Sequence, residues 1–291
     1  MIANYAHDPK LFDRCMKLIN ATFPGCEDFA RYGMKLNASW PAASTPFIIE
    51  EKSEIIAHAG VWPITLMVDG KVHQSASIHG VCVKPEHRGK GHFKTLMNEA
   101  IDYAKNHFDS SVLFTVKPYL YSRYPYKVML PEYDFEVTLP LKSKAEKSDL
   151  RKLSLDNNDD VKVMQDLLTQ RIPLSNQFSL INDNARSIFI LNTYQKDIYY
   201  SQKLNALLVF DISNNTLFLK EIVSQTPLDF NEVVAMIPEN FDKVVLQFCP
   251  DAFLDEKDYS PILARPECCI MVSETFQFNN KYFRYPELYW C

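Results

Sequence analysis

The chain has 291 residues, 47% of them hydrophobic and 23% charged. That length is long for one compact domain and comfortable for two, and the apolar share supports a sizeable buried core. A net charge of -5 argues against a nucleic-acid-binding face, and no apolar run of about 18 residues predicts a membrane span.

The start, MIANYAHDPKLFDRC, has no basic segment followed by an apolar run, so no secretory signal is expected. Cys15, Cys26, Cys82, Cys249, Cys268, Cys269 and Cys291 make an odd count without CxxC spacing. This pattern predicts reduced thiols in a cytoplasmic protein, not a disulfide framework or a metal site.

Residues 9–22 set Leu11, Phe12, Cys15, Leu18 and Ile19 at helical spacing. A second short helix is expected from Glu27 to about Leu36, then a loop from Trp40 to Pro46. Strand patterns follow at Phe47–Glu50, Ile55–Gly60, Ile64–Val68 and Val72–Val83, with Asp69-Gly70 as a hairpin turn and Pro63 as a bulge or edge position. From His92 to Phe108 the period becomes helical through Phe93, Leu96, Met97, Ala100, Ile101 and Ala104. Val112–Val116 and Tyr133–Leu139 read as strands.

Residues 142–160 are charged and poor in apolar side chains. They mark a boundary, giving a first domain at 1–140, a linker at 141–157 and a second domain at 158–291. The second half predicts helix at Val161–Leu168, a hairpin of Ala206–Ile212 and Leu217–Val223 turned at Asn214-Asn215, helix at Phe230–Ile237 and a buried strand at Val244–Phe248. This echoes the layout of the first half without visible sequence identity. All seven glycines lie at or before Gly91 and all seven histidines at or before His107. Chemistry that needs a glycine-rich loop or an imidazole therefore belongs to the first half. The second half is expected to be structural or substrate-shaping.

The informative segment runs VCVKPEHRGKGHFKTLM from Val81 to Met97. A strand ends near Val83, Pro85 stops it, Arg88 to Gly91 forms a tight basic turn, and a helix begins at once. The amides of a first helical turn have no intrahelical partners, and the helix dipole attracts anions. Glycine permits close backbone approach, so the site suits a pyrophosphate. A Walker loop and a dinucleotide fingerprint both fail on spacing.

Arg88 and Gly91 match the acetyl-CoA signature [RQ]xxGx[GA], and the segment resembles that of the GNAT superfamily; Phe93 replaces its last small residue. The departure is similar to the enhanced-intracellular-survival (Eis) branch, without the sterol-carrier-like third domain of its larger members. The resemblance implies an α/β fold: a GNAT mixed sheet with flanking helices, then a second, degenerate GNAT-like domain. It also implies acetyl transfer from acetyl-CoA to an amine, on a small molecule or a lysine or N-terminus. The backbone of Val81, Cys82 and Val83 would pair with the pantetheine arm, and an N–H near Val83 would polarise the thioester carbonyl. Gly89, Lys90, Gly91, His92, Phe93 and Lys94 would hold the pyrophosphate by their amides, assisted by Arg88.

Tyr121, Pro125 and Tyr126 resemble the YxxxG[FY] run of these enzymes, with proline for glycine. Tyr121 would then protonate the departing thiolate; the alternative is an aromatic packing cluster. His79, two residues before Val81, is a candidate base or a satisfied half-buried histidine, and Glu50 and Glu27 are further candidates. The resemblance also allows the terminal carboxylate of Cys291 to act as base. Cys82 is expected in the core. Two rival readings remain: a catalytically silent CoA-binding module, and an interaction scaffold using the aromatic tail Phe276 to Trp290.

Overall fold

The structure is a computed structural model that describes residues 3–35, 38–129, 131–141, 148–181, 197–265, 268–286 and 288. The first half begins with helices α1 (Leu11–Thr22), α2 (Cys26–Lys35) and the short α3 (Trp40–Ala43). The expected loop after Trp40 is thus partly helical, because the Ser39 side chain accepts from the Ala42 amide and caps it. Strands β1 (Thr45–Glu51), β2 (Glu54–Val68) and β3 (Lys71–Val83) form a meander. A 3₁₀ turn at Pro85–His87 leads to α4 (His92–His107), then β4 (Ser110–Thr115), β5 (Tyr126–Val128) and β6 (Tyr133–Val137). The second half contains β7 (Arg151–Lys152), α5 (Asn158–Thr169), β8 (Phe178–Leu180), β9 (Ile198–Ser201), β10 (Ala206–Ser213) and β11 (Thr216–Ser224). It closes with α6 (Phe230–Met236), β12 (Lys243–Leu246), β13 (Tyr259–Leu263) and β14 (Cys269–Ser273).

The two strands expected on either side of Pro63 are one long strand. Pairing of β1 to β2 begins at Val61, and β8 takes up β2 again only at Leu66. Pro63 falls in the gap between them, a place where a missing N–H costs no ladder bond.

Two sheets result. The first runs β1-β2-β3-β4-β14-β5, with β8 added to β2. The second runs β13-β6-β12-β11-β10-β9-β7. Helix α4 packs Leu96, Met97, Ala100 and Ile101 on one face of the first sheet against Phe47, Val61, Ile78 and Leu113. The other face packs Cys15, Met16 and Ile19 of α1 into a large core shared with the second sheet.

The layouts of the two sheets repeat one another. In the first, hairpin β2–β3 is followed by α4 and by β4 parallel to β3. In the second, hairpin β10–β11 is followed by α6 and by β12 parallel to β11. Each sheet then receives a strand from the opposite half: β14 pairs antiparallel with β4 and β5, and β6 pairs antiparallel with β12 and β13. Sheet membership therefore does not follow a cut at 141–157. The stretch expected as a linker also carries β7, which pairs with β9 at the edge of the second sheet. An alternating strand looks the same whichever sheet it joins, so sequence pattern could not reveal the exchange.

The exchange is tied by buried charge. Arg284 Nη1 lies 2.9 Å from the Glu132 carboxylate, both nearly inaccessible, and Arg284 Nε lies 2.9 Å from Asp134. The tail aromatics Phe276, Phe283 and Tyr285 are buried in the shared core. They do not offer the docking surface that the aromatic composition suggested; Tyr289, Trp290 and Cys291 lie outside the described residues.

A fragment ending at residue 140 is expected to lack a cooperative urea transition, since β4 would lose β14 and β6 would lose both β12 and β13. Circular dichroism of that fragment beside the full chain checks this; a sharp transition in the fragment would show that the exchanged strands are dispensable.

Candidate active site

The site is built where β3 and β4 part. They pair in parallel from Ser75 and Ser110 only as far as Ile78 and Leu113, although β3 continues to Val83 and β4 to Thr115. A β-bulge in β3 causes the divergence: His58 opposes Cys82 and Gly60 opposes His79, so one residue of β2 faces two of β3. Gly80 sits in the bulge at φ +59°, and an added Cβ would meet the His58 ring at 3.3 Å. The His58 Nδ1–H donates to the Gly80 carbonyl at 2.8 Å and holds the bulge.

The bulge leaves a backbone edge facing the gap. The Lys84 amide donates to Ile56 O on β2. By antiparallel alternation, the N–H and C=O of Val83 point away from β2 into the gap, while those of Cys82 are turned toward β2. The Val83 carbonyl accepts from Arg88 Nε at 3.1 Å, which ties the basic turn to the strand end. The side chains alternate as expected: Val83 joins the α4 core and Cys82 the α1 core. Burial pushes the Cys82 thiol up to about 12, which suits a packed side chain and not a nucleophile.

The turn adopts the conformation its composition demands. Gly89 has φ +77° and Gly91, the N-cap of α4, φ +90°. A Cβ on either would meet nothing within 4 Å. Conformation, together with open space above the backbone, explains the glycines. No side chain caps α4, so the amides of its first turn remain available to an anion.

The gap and the turn open into one cleft of about 1300 Å³. Its walls include Phe23 and Phe29 from the α1–α2 region, Trp40, Phe114 and Val116 beside β4, and Tyr121. Tyr121 is buried, packs edge-on against Phe93 with ring centroids 5.6 Å apart, and is pushed up to about 12 by burial and then by Tyr124. Among the described residues its hydroxyl has no hydrogen-bond partner. The run is a packed aromatic cluster of Tyr121, Tyr124 and Tyr126, and Tyr121 also lines the cleft. Phe93 fills the space beneath Tyr121 and Tyr124, which accounts for a large residue where the motif has a small one.

His79 also lines the cleft, but it is buried and closely held. Its Nε2 lies 2.9 Å from Ser44 Oγ, and its ring packs against Trp40 and Trp62, each with centroids 4.9 Å away. Glu50 faces the Arg14 guanidinium instead of the cleft, and Glu27 pairs with Arg31. Neither is among the cleft-lining residues. Cys268, next to exchanged strand β14, does line it, so the second half contributes to the site directly. Sequence reading missed Cys268, Trp40, Lys117 and Arg123 as cleft residues. Only Lys117 and Arg123 had a readable signal, because Arg123 lies within the tyrosine run and Lys117 just before it.

With the geometry in place, comparison with known proteins is consistent. Residues 8–129, under half of the chain, match the family model described as acetyltransferase (GNAT) domain. A protein from Enterococcus faecalis V583, described as a "Probable N-Acyltransferase", aligns at TM-score 0.59 and 15% identity over 94% of this chain and 71% of its own. A GCN5-related N-acetyltransferase from Kribbella flavida aligns at TM-score 0.55 and 16% identity over 91% of this chain and 68% of its own. Eis1 from Mycobacterium abscessus aligns at TM-score 0.52 and 13% identity over 77% of this chain and 63% of its own. No curated protein matches the chain. The fold is a mixed α/β fold of the GNAT type. Among the described residues no helix is long and apolar enough to cross a membrane.

Burial pushes His58 down to about 4, so the imidazole stays neutral in the fold. The unfolded imidazole, near 6.5, takes up its proton first as pH falls. Stability from this group is therefore complete above about pH 6.5 and is lost toward pH 4, by about 3 kcal/mol in all. His58→Asn retains a donor for Gly80 and should flatten this acid loss. Urea midpoints at pH 7 and pH 5 test it, and an unchanged slope would assign the loss to other groups.

Proposed function

We propose that the chain transfers an acyl group, acetyl in the simplest case, from a CoA thioester to a primary amine by direct attack. The observation that carries this reading is the gap between β3 and β4 opening onto the uncapped, glycine-bounded start of α4. An extended thiol arm can add as a strand beside Val81–Val83, and a diphosphate can lie on the amides from Gly89 to Lys94. The Val83 N–H, turned into the gap, is the donor for the thioester carbonyl and for the oxyanion that develops on attack. Tyr121 supplies the proton to the leaving thiolate. Its raised pKa keeps it protonated throughout the neutral range. Of the three histidines that line the cleft, His79, His87 and His92, the buried His79 accepts the amine proton in this reading, directly or through water, with Ser44 orienting its Nε2.

The cleft also narrows the acceptor. Arg88, Lys94, Lys117 and Arg123 line it, and no Asp or Glu does among the described residues. The overall acidity of the chain is therefore not expressed at the site. Among the described residues a polyamine or aminoglycoside would find no carboxylate there. An amine carrying an apolar or anionic group meets aromatic walls and cationic side chains. Release of thiol from acetyl-CoA across an amine panel tests this: amino-acid-like and aromatic amines should turn over faster than spermidine. CoA binding without turnover of any amine would favour a silent binding module instead.

Tyr121→Phe is expected to lower kcat by roughly 10²–10⁴-fold while leaving the CoA Kd within about twofold. Steady-state kinetics with calorimetric CoA titration checks it, and an undiminished kcat would remove Tyr121 from the mechanism.

A further inference from the structure

Three side chains gather at the glycine turn: Glu51 at the end of β1, His87 at the end of the 3₁₀ turn, and His92 at the first position of α4, the two histidines also lining the cleft. One ligand atom from each lies within 4.8 Å of the others. His87 Nδ1 is 3.7 Å from Glu51 Oε2, too far for a hydrogen bond, and the two imidazole rings are 6.2 Å apart between centroids. His87 Nδ1 and His92 Nε2 are both shielded from solvent, and among the described residues neither has a hydrogen-bond partner.

Two shielded ring nitrogens without partners, converging beside a carboxylate, are poorly accounted for by packing. Buried polar atoms ordinarily find a partner. Neighbouring charges do not supply one: Lys84 is already paired with Glu54 and Glu86, and Arg88 Nε with Val83. Two imidazoles and one carboxylate around an open fourth position are the donor set of a tetrahedral divalent ion. Zn²⁺ suits it best, with ligand distances of about 2.0–2.2 Å. The present separations require the three side chains to close inward by rotation about their own bonds.

We infer that Glu51, His87 and His92 form a Zn²⁺ site that clamps the turn Arg88–Gly91. The ion would join the strand end, the 3₁₀ turn and the helix start across the turn that leads into the amides proposed for the diphosphate. It would leave one position for water or for a phosphate oxygen. Its charge would add to the helix dipole at the same place, so metal and CoA should strengthen each other's binding. The metal is bound by the chain alone, so the inference stands or falls apart from the acyl-transfer reading.

The test is calorimetric titration of Zn²⁺ into the EDTA-stripped full chain without CoA, with Co²⁺ absorption as a second readout. One equivalent should bind, and Co²⁺ should give tetrahedral d–d bands without a thiolate charge-transfer band. His87→Gln, His92→Gln and Glu51→Gln should each weaken the affinity by roughly tenfold to a hundredfold or more. His73→Gln, on the exposed β2–β3 hairpin, should leave it unchanged. Thermal melts without metal show that each variant is folded, and the exposed Glu51 serves if a histidine variant is not. The inference is overturned by affinity equal in wild type and in these three variants, by a thiolate band that assigns the ion to cysteine, or by the absence of stoichiometric binding.

Discussion

The parting of β3 and β4 is the constraint on which the rest of the site depends. Two parallel strands that stayed paired would consume their own backbone groups and leave nothing for a ligand. The bulge at Gly80 ends the ladder, and it persists because the neutral His58 ring donates to the Gly80 carbonyl from inside the core. The cost is a fully buried imidazole, offset by that hydrogen bond and by close packing. The return is an open strand edge leading straight to a helix whose first amides are also open. Both are backed by a layer of α4 side chains packed on the sheet.

Reciprocal strand exchange ties the two halves of this frame together. β14 pairs with β4 from Val112 to Thr115, so beyond Leu113, where β3 has parted, the outer wall of the cleft is supported by a strand from the far end of the chain. The second sheet is completed in the same manner by β6. The two halves repeat one arrangement of hairpin, helix and parallel strand, yet only the first has glycines in the connection before its helix. The connection between β11 and α6 has none. The second half accordingly supports the site, through β14 and Cys268, without a phosphate turn of its own.

Much of the candidate site could be read from residues 79–94. The strand that ends at a proline, the basic turn with glycines and the helix behind it all appear with the expected bounds. Tyr121 also reaches the cleft. The general-base candidates fared differently, because a side chain's surroundings are set by distant segments. His79 is enclosed by Trp40, Trp62 and Ser44, which are 39, 17 and 35 positions away in the sequence. Glu50 and Glu27 are drawn off by arginines of α1 and α2. The convergence of Glu51 with His87 had no sequence signal, since β1 and the turn meet only through the sheet.

By itself the sequence determined the local elements and the chemistry of the turn, because periodicity, proline and glycine act over a few residues. Only the tertiary structure decided which sheet each strand joined, where the strands part and which charges face the cleft. Those depend on contacts between segments far apart in the chain. A strand's alternation records that one of its faces is buried, but not against what.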